Sequence, residues 1–151
     1  MLRLDTRQYI NLLLAQMRPG RPVSLAVWGS SMAPFLIHGR DAVLLAAPER
    51  PLKPGDVALF ERPSGQYVLH RVCRTAPEGL YFMGDGQQQA EGPVPPQAVR
   101  ALAIKARRKG RWLSPGSFWW EFFARVWPHL GPLRGALSAL YGAFKRKEGP
   151  P

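Results

Sequence analysis

Val57-Ala58-Leu59-Phe60-Glu61-Arg62-Pro63-Ser64-Gly65-Gln66-Tyr67-Val68-Leu69-His70-Arg71-Val72-Cys73-Arg74-Thr75 decides how this chain folds. Two runs rich in branched and aromatic residues, Val57 to Glu61 and Gln66 to Thr75, flank Pro63-Ser64-Gly65. Such residues suit a pleated, half-buried surface. Pro-Ser-Gly between them is a hairpin turn signal. The expectation is a strand, a tight turn, and a long second strand that carries His70.

The same punctuation continues in both directions. Val23 to Trp28 and Asp41 to Ala46 read as earlier strands, and Pro51-Leu52-Lys53-Pro54-Gly55-Asp56 as a turn. Gly79 to Met83 reads as a shorter strand ending at Gly84-Asp85. Gly86 to Pro96 reads as a polar loop, and Ala98 to Arg107 as the last strand. The 16 Pro and 15 Gly break nearly every connection. Short strands with turn signals about every ten residues imply a mainly β chain, either a small coiled antiparallel sheet or a partly open barrel. No internal repeat is visible.

Helices are expected at both ends. Residues 5–18 form an amphipathic pattern, with Asp5 or Thr6 as cap and Ile10, Leu13, Leu14 and Met17 on one face. Pro19-Gly20 ends it. Its polar face is not strongly basic, which favours packing on its own domain over a membrane. Composition changes after Gly110, dividing the chain into a β domain at 1–110 and a helical tail at 111–151. Ser117 to Trp127 predicts one helix, stopped by Pro128. Pro132 suits the first turn of a second, where Leu133, Leu137, Leu140, Tyr141 and Phe144 recur at helical spacing.

The 151 residues carry 21 Lys+Arg against 10 Asp+Glu, a formal charge of +11. That imbalance favours anionic partners. The basic, aromatic tail points to an anionic membrane surface, through Trp119, Trp120, Phe123 and Trp127 with Lys145, Arg146 and Lys147. The competing expectation is that these helices cover the sheet. Nucleic acid ranks third, because the aromatics cluster at helical spacing rather than across a sheet face. No segment reaches the ~18 to 20 apolar residues of a spanning helix, so the expected location is peripheral to a membrane or cytoplasmic, with the side undetermined. The lone Cys73 permits no internal disulfide. Scattered histidines and one cysteine argue against a metal site, and no Gly-rich phosphate loop or other cofactor motif is present.

Gly29-Ser30-Ser31-Met32-Ala33-Pro34 comes after the first strand. A serine hydroxyl needs a base within hydrogen-bond reach to attack a carbonyl. A neutral imidazole can accept that proton, and an acid on its far nitrogen fixes the tautomer. Ser31, His70 and Asp85 offer these three groups in chain order. Gly29 allows close approach of a substrate backbone. Backbone N–H groups at the strand exit can stabilise an oxyanion. His38 and His129 have no such context and are read as incidental.

Ser-Met-x-Pro at Ser31 to Pro34, Leu69-His70-Arg71-Val72 and Met83-Gly84-Asp85 together resemble the signal peptidase family, the serine peptidases that include bacterial, archaeal and endoplasmic-reticulum leader peptidases. Histidine at the second position points to the Ser/His branch. Lys53-Pro54-Gly55-Asp56-Val57-Ala58-Leu59-Phe60 looks like the family's Gly-Asp-Val strand, and Val94-Pro95 to Ile104 like its closing strand. The resemblance spans about Val23 to Arg108. It implies a sheet of the signal-peptidase type and a serine endopeptidase cleaving a leader or precursor peptide, with Ser31 as nucleophile and His70 as general base. The family carries a second aspartate after Gly-Asp, and either acid can serve the histidine. Here Asp85 matches the first and Glu91 stands near the second, with Asp85 placed ahead. Gly29, Ser30 and Met32 complete the expected substrate and oxyanion site. Gly29 departs from relatives that place a serine there, which leaves the Ser31 N–H as the main oxyanion donor. The alternative is a non-catalytic peptide-binding or membrane-binding protein on the same fold.

Overall fold

A computed structural model describes residues 6–131, 133–137 and 139–140. Helix α1 (Thr6–Gln16) precedes β1 (Val23–Ala26), β2 (Ala42–Ala46), β3 (Val57–Glu61), β4 (Tyr67–Ala76), β5 (Gly79–Met83), β6 (Glu91–Val94), β7 (Val99–Arg108) and β8 (Arg111–Leu113). All eight strands join one sheet in the order β1-β2-β7-β3-β4-β5-β6, with β8 paired to β7. Every pairing is antiparallel. The chain is therefore mainly β, as its turn punctuation predicts.

The β3–β4 hairpin sits at the centre. Its register puts Ala58 opposite His70 and Val57 opposite Arg71. The Arg62 N–H donates to Gln66 O at 2.8 Å, and the Gly65 N–H to Arg62 O, across the Pro-Ser-Gly turn. Successive side chains point to opposite faces of a strand, and here both faces are covered. One apolar cluster holds Leu59, Tyr67 and Leu69 with Leu25, Val27 and Phe35. The other holds Ala58, Phe60, Val68 and Val72 with Phe82 and Val94. Ile10 of α1 is buried in the first cluster, and Leu13, Leu14 and Met17 pack on it. The helix thus rests on its own domain.

Two strands escaped the sequence reading. The loop expected at residues 86–96 contains β6, an edge strand interrupted by Gly92-Pro93. Proline is tolerated on an edge, where its missing N–H breaks no central ladder. Strand β8 returns from β7 through Lys109-Gly110, both at positive φ, as a two-residue hairpin turn requires.

Residues 111–130 pack on the sheet. Helix α2 (Phe118–Glu121) continues through a π-helical turn, Phe122–Val126, and a 3-10 turn, Trp127–Leu130. Three of the four aromatics expected to face a membrane are buried in the first cluster: Trp120, Phe123 and Trp127. Phe35 is the reason, since its ring lies 4.8 Å from Phe123 and 6.2 Å from Trp120. Only Trp119 of that set is exposed, at 44%, beside Phe118 at 71%. Residues 133–137 and 139–140 are helical, with Leu133, Leu137 and Leu140 exposed. Tyr141, Phe144 and the basic run Lys145, Arg146 and Lys147 lie outside the described residues. Among the described residues no helix is long and apolar enough to cross a membrane.

Candidate active site

Buried residues on its downstream side anchor the serine loop. After β1, the Val27 N–H donates to Asp41 O at 2.9 Å. The chain then reverses through Gly29 at φ +74° and enters a turn closed by Ala33 N–H to Ser30 O and Leu36 N–H to Met32 O. Met32, Phe35 and Leu36 are buried, so three apolar side chains pin one end of the loop. Ser31 is left half-buried at the rim.

The Gly84-Asp85-Gly86 motif closes over this loop. The Gly86 N–H donates to Ser31 O at 2.9 Å. A Cβ at Gly84 would collide with that same carbonyl, and one at Gly86 would lie 2.9 Å from Ala33 O. Both glycines are therefore required by close backbone contact.

His70 meets Ser31 across a cavity of about 300 Å³, lined by both with Gly29, Ser30, Arg62 and Gln87 among others. The small Ala58 opposite leaves room for the ring, which packs edge-on against Phe60 at 6.2 Å. His70 is 3% exposed. Its Nδ1 is buried with no hydrogen-bond partner among the described residues. Burial lowers its pKa to about 4, against the pull of the Glu91 charge and with a further push from Arg62.

Neither acid bonds the imidazole. Asp85, placed first for that role from the sequence, accepts Arg71 Nε at 2.8 Å and Nη2 at 2.9 Å instead. Arg71 Nη1 donates to Gly55 O at 2.7 Å, and Trp127 Nε1 to Asp85 O at 2.8 Å. The reason lies in strand geometry: residues 70 and 71 point to opposite faces, and Asp85 lies on the arginine's side. Glu91 accepts Arg62 Nε at 2.8 Å and Nη2 at 2.6 Å. That pairing holds its carboxyl below the usual range.

The backbone N–H groups of the serine loop differ in their engagement. The Gly29 N–H is engaged by His38 Nδ1 at 2.8 Å, whereas the N–H groups of Ser30, Ser31 and Met32 bond no described residue. The Ser31 hydroxyl likewise has no hydrogen bond among the described residues. Cys73 stands apart; its thiol donates to Tyr81 O at 3.3 Å, and burial raises its pKa.

Sequence reasoning missed two residues here. His38 touches the serine loop through a backbone contact, which leaves no trace in side-chain spacing. Arg62 comes directly after β3, and only the pairing of β5 with β6 brings Glu91 to it. Chemically, the cavity is lined by a serine whose hydroxyl bonds no described residue and by an imidazole that burial keeps uncharged. A hydroxyl and a neutral imidazole are the groups that acyl transfer by a serine requires. Compared with protein-family models, curated proteins and solved structures, the chain has no match in any of the three.

Proposed function

We propose that this protein is a serine endopeptidase of the Ser/His type, on a sheet of the signal-peptidase kind, that cleaves a leader or precursor peptide. The observation that carries the reading is one cavity lined by both Ser31 and His70, residues far apart in sequence. In the reaction, His70 takes the Ser31 proton as the hydroxyl oxygen attacks the scissile carbonyl. The Ser31 N–H stabilises the oxyanion. Collapse of the tetrahedral adduct expels the amine, which takes the proton back from His70. Water then attacks the acyl carbon as His70 takes its proton, and when the ester bond breaks the Ser31 oxygen receives that proton and the acid leaves. Nδ1 needs an acceptor when the ring becomes an imidazolium. We assign that role to Glu91, whose charge already acts on His70; it must first leave Arg62.

A non-catalytic peptide-binding role is the second reading. The unpartnered Nδ1 and the pKa near 4 favour it, because both make His70 a weak base at rest. A fluorophosphonate probe, which reacts covalently with activated serines, separates the two. An enzyme takes the label on Ser31 and loses it in Ser31→Ala and His70→Ala. A wild-type protein that never labels, yet binds extended peptides, overturns the peptidase reading.

We also propose contact with an anionic membrane surface. The exposed rings of Phe118 and Trp119 pack edge-on at 5.0 Å, and Arg108 lies 5.3 Å from the Trp119 ring. An aromatic tip beside cations suits the headgroup boundary. Flotation with vesicles containing phosphatidylserine should weaken in Trp119→Ala; equal flotation of the variant rejects this surface.

A further inference from the structure

We infer that His38 is a positioning residue for the serine loop, holding its entry through the Gly29 amide. This rests on the proposed role of Ser31. The two ends of the loop are secured very differently. Its exit is held by buried Met32, Phe35 and Leu36 and by the Ser31 O to Gly86 N–H bond. Its entry is Gly29, at φ +74°, with nothing within 4 Å of where a Cβ would stand. A glycine in open space has wide conformational freedom, and packing does not restrain it here. The hydrogen bond from Gly29 N–H to His38 Nδ1, 2.8 Å long, supplies the restraint.

The histidine is itself on a firm base. Asp41, 2% exposed, accepts the Ile37 N–H at 2.9 Å, the Lys109 N–H at 3.0 Å and both Nε and Nη2 of Arg40. The turn 37–41 is thereby tied to the β7–β8 hairpin. Asp41 O also receives the Val27 N–H. The route from sheet to nucleophile therefore runs through Asp41, His38 and Gly29. Nδ1 can accept only in the neutral ring with its proton on Nε2. With the Gly29 amide engaged, Ser30 and Ser31, which line the cavity, follow from a defined backbone. Small displacements of a nucleophile cost large factors in rate.

Asparagine places its side-chain oxygen where Nδ1 stands, while glutamine reaches only to the position of Nε2. Four proteins are compared: wild type, His38→Ala, His38→Asn and His38→Gln. Fluorophosphonate labelling of Ser31 should slow about tenfold in His38→Ala and His38→Gln, and recover to within about threefold of wild type in His38→Asn. Hydrogen exchange at the Gly29 amide should accelerate in the Ala and Gln variants and stay protected in the Asn variant. If His38→Ala does not fold, the Asn and Gln pair carries the same contrast. Wild-type labelling rates in the Gln variant, or unchanged Gly29 exchange, overturn the inference. A wild-type protein that takes no label overturns the peptidase reading instead, and Gly29 exchange alone then decides the role of His38.

Discussion

On one side of β4, Arg71 is 3% exposed, and its guanidinium is satisfied by the Asp85 carboxylate and Gly55 O. On the other side, His70 is equally buried, yet its Nδ1 has no partner among the described residues. The two are neighbours in sequence and differ in everything around them. Arg71 sits over Phe35 at 5.3 Å, inside a network that ties the 55–56 turn to the Gly84-Asp85-Gly86 loop. His70 faces Phe60 and a cavity, with an ion pair, Arg62–Glu91, whose charges oppose each other at the ring. A buried charge used for architecture is saturated with hydrogen bonds, because an unpaired one costs several kcal/mol. A buried imidazole has another course open to it, since burial keeps the ring neutral and no counter-charge is needed. The adjacent residues of β4 show the two cases side by side.

The largest way to break this contrast is to remove the saturating acid. Asp85→Ala strands the Arg71 guanidinium in the interior and should cost about 3–5 kcal/mol in urea unfolding. A cost under about 1 kcal/mol would mean that Asp85 is not architectural, and would return it to the histidine.

The next effect is a pH dependence on the other side of the strand. The folded pKa of His70, about 4, lies below the unfolded 6.5. The unfolded chain therefore binds the extra proton first as pH falls. The stability linked to His70 is fully present above about pH 6.5 and declines through the window down to about 4. The full shift corresponds to about 3 kcal/mol. His70→Phe should flatten the stability curve over that window. An identical acid slope in the variant would show that His70 is not held neutral by burial.

The ion pair beside the imidazole has the mildest consequence for stability. The Arg62 and Glu91 side chains are about a third exposed, so Arg62→Gln should change stability by less than about 1 kcal/mol. The imidazole should respond more clearly. Arg62 lowers the His70 pKa and Glu91 raises it, so NMR titration should find the value moved up in Arg62→Gln and down in Glu91→Gln. No movement in either variant would detach the ion pair from the candidate site.

Much of the sheet was legible because its signals are local. The β3–β4 hairpin declares itself in two apolar runs and a Pro-Ser-Gly turn, and the observed β3 and β5 have the expected ends. Strand β6 was not legible, since Gly92-Pro93 reads as loop until β5 supplies the partner that makes an edge strand possible. The helical spacing of Trp119, Trp120, Phe123 and Trp127 marks an amphipathic segment. Whether its apolar side meets lipid or protein depends on Phe35, which lies far away along the chain. Of the candidate site, Ser31 and His70 are legible through the resemblance of their combined motifs, Ser-Met-x-Pro and Leu-His-Arg-Val. The partner of Asp85 does not, because a carboxylate near a His-Arg pair can serve either.

From the sequence alone come an antiparallel β chain and its central hairpin, because periodicity and turn chemistry act over a few residues; Ser31 and His70 come from it only through the resemblance of their motifs. Which acid pairs with which base, which tryptophans are buried, and the grip of His38 on Gly29 follow from the folded arrangement. Each of those outcomes is a contact between segments that become neighbours only when the sheet closes its pairings, and the strand's alternation of faces then assigns Arg71 its acid and leaves His70 without one.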